Sequence, residues 1–284
     1  MIFKLNKGEI ILNTTIIKKD NNKEINIGDT SLAHISPLIY LLKQSKNTEM
    51  VNNDIIEWDI NGEKYYNNIQ IFKDAYYMNN TTLFSSIGER EFNIKCKNYG
   101  IEHLKRINWT LYFGDKLTGV KHGTLKKFTD GIFSFCRENN IRTINQNFTQ
   151  DTFDKNICEY IFKHNKNDKY FFVSPGLIYI IKSFINIKLE NVKIFNINAY
   201  KYIYKNSILY LITDRSLYKH YNYGVVIDLE DIKYCYLKGR DTIIETNQQN
   251  KWESVDGVIE QYSTYCGLKL LHPEKHVLIK GIIE

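Results

Sequence analysis

The sequence predicts an α+β fold, and three observations carry that prediction. Residues 192–282 are a long run of short strand signals joined by turn residues. Apolar and charged residues alternate on either side of Asn61-Gly62, the dipeptide that closes tight hairpins because both positions accept positive φ. Between these two regions, residues 99–113, 149–164 and 175–185 carry apolar side chains at helical spacing.

Taken in order, residues 1–30 are polar and rich in Asn and Lys, with isolated Ile10-Ile11 and Ile16-Ile17 pairs. They cannot bury a core alone and read as an arm that lies on another surface. Ser36-Pro37 then offers an N-cap with proline in the first helical position, and Leu38, Ile39, Leu41 and Leu42 supply the apolar stripe of a short helix ending near Ser45. From 51 to 95 the pattern is extended. Ile56, Trp58 and Ile60 alternate with Glu57 and Asp59, and the Tyr65-Tyr66 pair follows the turn. Asp54, Glu57 and Asp59 read as the wet face of this hairpin, and further extended pieces are expected at 69–72, 83–87 and 91–95. A ribbon with so few large aliphatic residues is marginal in water unless it packs on something. That makes Trp58, Ile60, Asn61, Gly62, Tyr65 and Tyr66 the candidate contacts to a neighbouring subunit.

In the 99–113 helix, Ile101, Leu104, Ile107 and Leu111 share one stripe beside Trp109 and Tyr112, and Gly114-Asp115 ends it before a loop to Gly123. The next helix starts at Thr149, with Asp151 and Asp154 in its first turn and Lys163 and His164 in its last, matching the macrodipole at both ends. Phe153, Ile157, Tyr160 and Ile161 form its buried face. A strand at 170–173, a helix opened by Ser174-Pro175 with Leu177, Ile178, Ile181 and Ile185, and strands at 192–197 and 207–213 complete a compact layer.

Composition narrows the class. A hydrophobic content of 43% over 284 residues excludes wholesale disorder and allows two cores, or one core with appendages. Tyrosine is abundant, with 21 copies, and Tyr tolerates a half-wet, half-buried place at subunit contacts; Ala occurs only at Ala33, Ala75 and Ala199, so an AT-rich genome accounts for part of that excess. The net charge of +6 is spread without a Lys/Arg block, which fits a solvated surface and at most weak nonspecific contact with DNA rather than sequence reading. Five cysteines without CxxC spacing read as reduced thiols. The N-terminus lacks the apolar core of a signal peptide, and no stretch approaches the roughly 20 apolar residues of a membrane span, so no membrane partner is expected.

No chemical constellation competes with these surfaces. His272 and His276 lie four apart near Cys266, but Pro273 between them breaks the helical geometry a zinc site would use, and ordinary surface histidines are expected. Asp228, Glu230 and Asp231 read as a turn between apolar strands; a metal-dependent nuclease would need them to converge with distant carboxylates. GxSxG, GxGxxG and GxxxxGK[ST] do not occur, so no enzyme, cofactor or metal is expected.

The order of parts (polar arm, capped helix, hairpin, isolated helix, mixed layer, closing strands) resembles the Hong Kong 97-type major capsid proteins of tailed phages. Within 208–282, ITDRSLY resembles a family strand ending in an Arg-containing turn, VIDLEDIKYCYLKGRDTII an aspartate turn followed by a Leu-x-Gly-Arg strand, and VIEQYSTYCGLKLLHPEKHVLIKGI the final strand, Pro-x-x-His turn and terminal Gly-Ile. Agreement falls on Asp228, Leu237, Arg240, Glu260, Pro273, His276 and Gly281; His272 stands where Asn is expected and Lys275 where Ala is expected. The resemblance implies an N-terminal arm (1–30), a short helix leading into a peripheral domain (31–50), an extended hairpin loop (51–95), the peripheral domain with its spine helix (96–144), an axial domain (145–230) and C-terminal strands completing the peripheral sheet (231–284). It further implies copies assembling as hexamers and pentamers into an icosahedral DNA-filled head in the host cytoplasm, with portal and scaffolding or decoration proteins as partners. Lys64 or Lys73 would stand near the position of the namesake phage's crosslinking lysine, without a matching partner. Another phage component, a tail-tube or head-completion protein, is the alternative within structural proteins, and a metal-dependent nuclease the alternative outside them.

Overall fold

Burial sorts the elements into two sheets joined by one long helix. A computed structural model describes residues 17–19, 22–24, 32–121, 124–136, 140–145, 147–185, 189–217, 222–248 and 257–282. Most of the expected arm lies outside the described residues; within it, β1 (Ile17–Lys19) and β2 (Asn22–Glu24) pair antiparallel. Helix α1 (Pro37–Gln44) starts where Ser36-Pro37 places it and buries Leu38, Ile39, Leu41 and Leu42, although the Ser36 hydroxyl makes no capping bond.

Strands β3 (Thr48–Val51), β4 (Ile55–Ile60), β5 (Glu63–Asn68) and β6 (Gln70–Asn79) follow. The pieces expected to be extended at 83–87 and 91–95 are not. Helix α2 (Asn80–Leu83) is capped by Asn79, whose Oδ1 accepts from the Thr82 N–H at 2.8 Å, and α3 runs unbroken over Gly88–Phe113. The expected spine helix therefore begins eleven residues before Tyr99. Its buried stripe is Phe92, Cys96, Gly100, His103, Leu104, Ile107 and Leu111, a helical period obscured in the sequence by polar residues between small ones. Gly100 belongs to that stripe because a Cβ there would come within 2.9 Å of the Tyr262 ring.

The segment expected as loop up to Gly123 instead begins a ribbon, β7 (Leu117–Lys121) with β8 (Thr124–Phe128). After α4 (Ile132–Phe135) and β9 (Ile141–Asn145), α5 (Gln150–Phe153) begins at Thr149 as expected, with Thr149 and Thr152 capping each other. It continues through a π turn (Asp154–Cys158) into α6 (Glu159–Ile161). Next come β10 (Lys169–Val173) and α7 (Pro175–Ile185), whose Ser174 hydroxyl accepts from the Leu177 N–H at 3.2 Å. The remainder is β11 (Glu190–Ile194), β12 (Ile197–Tyr204), β13 (Ser207–Thr213), β14 (Tyr223–Ile227), β15 (Ile232–Leu237), β16 (Ile243–Gln248), β17 (Gly257–Leu270) and β18 (Val277–Ile282).

The first sheet is organised by β17. Strands β15 and β16 lie end to end along one of its edges, β6 pairs along the other, β3 joins β15 in parallel, and the β1–β2 ribbon joins β16. The second sheet runs β11-β12-β13-β10-β14-β18-β9. The last strand, β18, lies in the second sheet between β14 and β9, apart from β15, β16 and β17 in the first. Both faces of the second sheet are covered. Phe172, Ile212, Val225 and Ile227 face α1, α3 and the first sheet, while Phe171, Val173, Leu209, Leu211 and Val226 face the helices around α5 and α7. Two buried faces explain why its strands read as continuous apolar runs such as YFFV and GVVI.

Helix α3 is fastened to both sheets. Its His103 bridges Asp74 on β6 (2.7 Å from Nδ1) and Thr264 on β17 (2.8 Å from Nε2), and Thr264 meets Thr242 at 2.9 Å. A carboxylate only accepts, so Nδ1 donates to Asp74 and the neutral ring's Nε2 accepts from Thr264. Near its end, Asn108 Nδ2 and the Tyr112 hydroxyl both donate to the buried Asp214 carboxylate at 2.9 Å, just past β13.

Asn67 fastens the base of the hairpin in the same manner. Its Nδ2 donates to the carbonyls of Asp130 (3.1 Å) and Leu268 (2.8 Å), and its Oδ1 accepts from the N–H groups of Asn68 and Asp130, each at 2.8 Å. Substituting Asn67→Ala orphans four buried backbone groups, and a loss of about 2–4 kcal/mol is expected in urea unfolding.

Candidate inter-subunit surface

The β4–β5 hairpin is built by its turn and sorted by its pleat. Asn61 and Gly62 take φ of 54° and 88°, and the Gly62 N–H donates to Asp59 Oδ1 at 2.8 Å. That left-handed pair is the reason Gly stands at 62, since a Cβ there would meet nothing. Cross-strand pairs Trp58↔Tyr65 and Ile56↔Asn67 share the inner face, while Glu57↔Tyr66 and Asp59↔Lys64 share the outer one.

The inner face is not wet. Trp58 is 7% exposed, its ring 6.1 Å from Tyr65 and 6.3 Å from Phe135, in a cluster with Ile56, Ile69 and Cys235. Ile60 and Tyr65 pack against the same cluster. Trp58, expected to stand on an exposed ribbon, is instead buried within its own chain, because the inner face falls on β15 and the segment around Phe135 rather than on solvent; Ile60 and Tyr65 stay half-buried at the margin of that cluster. Asn61, Gly62 and Tyr66 do face outward, with Tyr66 54% exposed and the Lys116 Nζ 3.8 Å above its ring. Asp54, Glu57 and Asp59 are exposed as expected.

Exposed apolar residues elsewhere escaped the sequence reading. Phe84, Ile87 and Ile94 lie on and before the part of α3 that was assigned to strands, Tyr179 stands out from α7, and Phe195 and Ile203 sit on the β11–β12 hairpin. For Ile87 and Ile94 the seven-residue spacing was the available signal; for Phe195 none existed without the turn geometry.

The chemical candidates resolve into structural groups. Asp228 is buried and accepts from Lys169 Nζ (2.5 Å), Asn165 Nδ2 (2.8 Å) and the Glu230 N–H (3.1 Å). Burial pushes its carboxyl up, but the bonds and charge of Lys169 and the bond from Asn165 outweigh it, so the group lies below the usual carboxylate range. Asp231 pairs with Lys275 at 2.8 Å. His276 is fully buried, not a surface histidine, and its Nδ1 accepts from the Asp228 N–H at 3.4 Å. Burial lowers it to about 4 against nearby Asp231 and Asp228. His272 takes φ of 53°, the left-handed conformation that suits the Asn expected there. Among the described residues no group of three or more His, Cys, Asp or Glu could hold a metal. The five thiols are free and buried, with burial pushing Cys136, Cys235 and Cys266 up to about 12. No helix among the described residues is long and apolar enough to cross a membrane.

The profile of the SU10 major capsid protein family matches residues 47–282. The chain belongs to the SU10 major capsid protein family. A search of curated proteins finds no match. Solved structures of similar fold include the holo-SrpI encapsulin complex of Synechococcus elongatus (TM-score 0.61, 11% identity, 86% of each chain covered). The capsid of cyanophage P-SCSP1u (TM-score 0.53, 9% identity, 84% of this chain and 86% of that one) and Gordonia phage Cozz (TM-score 0.54, 10% identity, 83% of each) are similar too. At these identities the likeness establishes the fold, of Hong Kong 97 type, and the family supplies the function: a structural protein of the tailed-phage capsid that associates with its own copies.

Two outcomes follow for this capsid subunit. Trp58→Ala empties a buried site and is expected to cost about 3–5 kcal/mol in chemical denaturation, whereas Tyr66→Ser, at an exposed position, stays within about 0.5 kcal/mol. His276 titrates near 6.5 unfolded and about 4 folded, so the unfolded chain binds the extra proton between those values. Its stabilisation is complete above pH 6.5 and is lost as pH falls toward 4. Urea midpoints measured across that window should fall, and His276→Gln should flatten the slope.

Proposed function

We propose that this subunit closes into hexamers and pentamers that build an icosahedral head around double-stranded DNA. The observation that supports it is the two-faced hairpin. Its inner face is fixed to its own chain by Asn67 and the Trp58 cluster, which presents Asn61, Gly62, Glu57 and Tyr66 outward on a rigid mount. Pre-organising a contact surface before association lowers the entropy that binding must offset. The contact to a neighbour runs through that outer face and the tip, in place of the Trp58 anchor first expected.

On this reading the first sheet with α3 is the peripheral domain, and the second sheet with α5–α7 is the axial domain, extended by β18. The arm and the hairpin embrace neighbouring copies, portal and scaffolding or decoration proteins complete the particle, and assembly takes place in the host bacterial cytoplasm. DNA inside is held only by nonspecific charge, consistent with a dispersed net charge of +6. The subunit acts through surfaces and catalyses nothing.

Negative-stain microscopy of the purified chain, with and without a co-expressed scaffold, tests this. Closed shells or five- and six-membered rings are expected. Open tubes would transfer the chain to a tail role, and a monomer at every concentration would defeat the proposal.

A further inference from the structure

Two features of the second sheet stay partly uncovered by the described residues and lie toward opposite ends of strand β12. The first is a knob. The β11–β12 turn is Phe195-Asn196, with φ of 45° and 67°. Left-handed backbone strains any residue with a Cβ, and Asn or Gly usually occupies such turns. Among the described residues with positive φ, Phe195 alone has a wholly apolar side chain, and the residue is 47% exposed. A strained backbone that holds a phenyl ring in water gains nothing for the isolated fold.

The second feature is a receiving face. Leu209 and Leu211 point into the core beside α7, so Ile208 and Tyr210 point to the opposite side of β13. There Ile203 lies directly opposite Ile208, Lys201 opposite Tyr210, and Tyr170 beside Tyr210 with ring centroids 5.3 Å apart. Ile203 is 48% exposed and Ile208, Tyr210 and Tyr170 are half-buried, so the cover over this sheet face stops short of them. The half-wet tyrosines fit the anatomy of a protein contact. Charge fits as well: exposed Lys193 stands beside the knob, exposed Asp168 beside the receiving face, and Lys201 is already paired with Glu190 at 3.6 Å.

Strand β12 separates knob from face by about 20 Å at roughly 3.3 Å per residue, so one copy cannot join them. We infer that Phe195 of one copy inserts against the Ile203–Ile208–Tyr210–Tyr170 face of the next, a head-to-tail contact that repeats from copy to copy. Contacts of this kind close into rings when the rotation permits. The inference rests on the shell-forming reading and adds to it the named residues of one copy–copy contact.

The test uses two full-length variants. Phe195→Asn relieves the turn, so its unfolding midpoint should equal or exceed the wild type while the concentration needed for self-association rises at least tenfold. Ile203→Asp, at an exposed position, should also fold and fail to assemble. Each variant keeps one half of the contact, so mixing them should yield a two-chain complex by light scattering and native mass spectrometry, although neither self-associates. Wild-type shells with undiminished assembly of Phe195→Asn overturn this contact alone, as does an equimolar mixture that stays monomeric. A wild type that never assembles overturns this contact and the shell reading together.

Discussion

Asp74, His103 and Thr264 just past the middle of α3, and Asn108, Tyr112 and Asp214 near its end, hold a single helix against two sheets at once. Each contact is buried or nearly so, and each buried polar group gains its partner only in this one arrangement. Apolar packing alone would tolerate some sliding of the helix over either sheet. The hydrogen-bond chains do not, because a shift of one residue would strand a carboxylate or an imidazole in the core. Burial pushes Asp214 above the usual carboxylate range and His103 below the usual imidazole value, and both directions report how dry the two joints are.

From that constraint the outer surfaces follow. With α3 in place, β6 and β17 pair over ten residues, the loop at 128–130 lies against the hairpin base, and Asn67 closes the contact. The hairpin then projects from a fixed root with one greasy face satisfied and one polar face free. The second sheet is treated differently: its centre is covered on both sides, and its margin at Ile203 and Phe195 is left partly uncovered. A subunit arranged this way is stable enough to wait for its neighbours, yet it still offers apolar contact area to them.

Much of this was legible in the residues. Asn61-Gly62, Ser36-Pro37 and Ser174-Pro175 place their turn and helices correctly, since glycine and proline act locally. The reading failed where tertiary contact overrides local pattern. Residues 91–95 look like an extended piece until Phe92 and Cys96 are recognised as the first two steps of the α3 stripe. Trp58 reads as a wet anchor because nothing local reveals that Phe135 and Cys235 lie beneath it, far along the chain. The pairing of β18 with β9 depends on residues more than a hundred positions apart, and no periodicity encodes that. Within the hairpin, the sequence pattern did not separate the face that packs on its own chain from the face that stays exposed.

The claim beneath the rest is that the two joints, together with the packing of Phe92 and Cys96 on Met78 and Val258 along the first half, make α3 one rigid strut in the unassembled subunit. Native-state hydrogen exchange on dissociated chains measures this directly. If the claim is right, amides on both halves of α3 exchange together and as slowly as those of β17, with one common opening free energy. Exchange that splits the helix near Gly100, with the first half opening far more readily than the second, would contradict it.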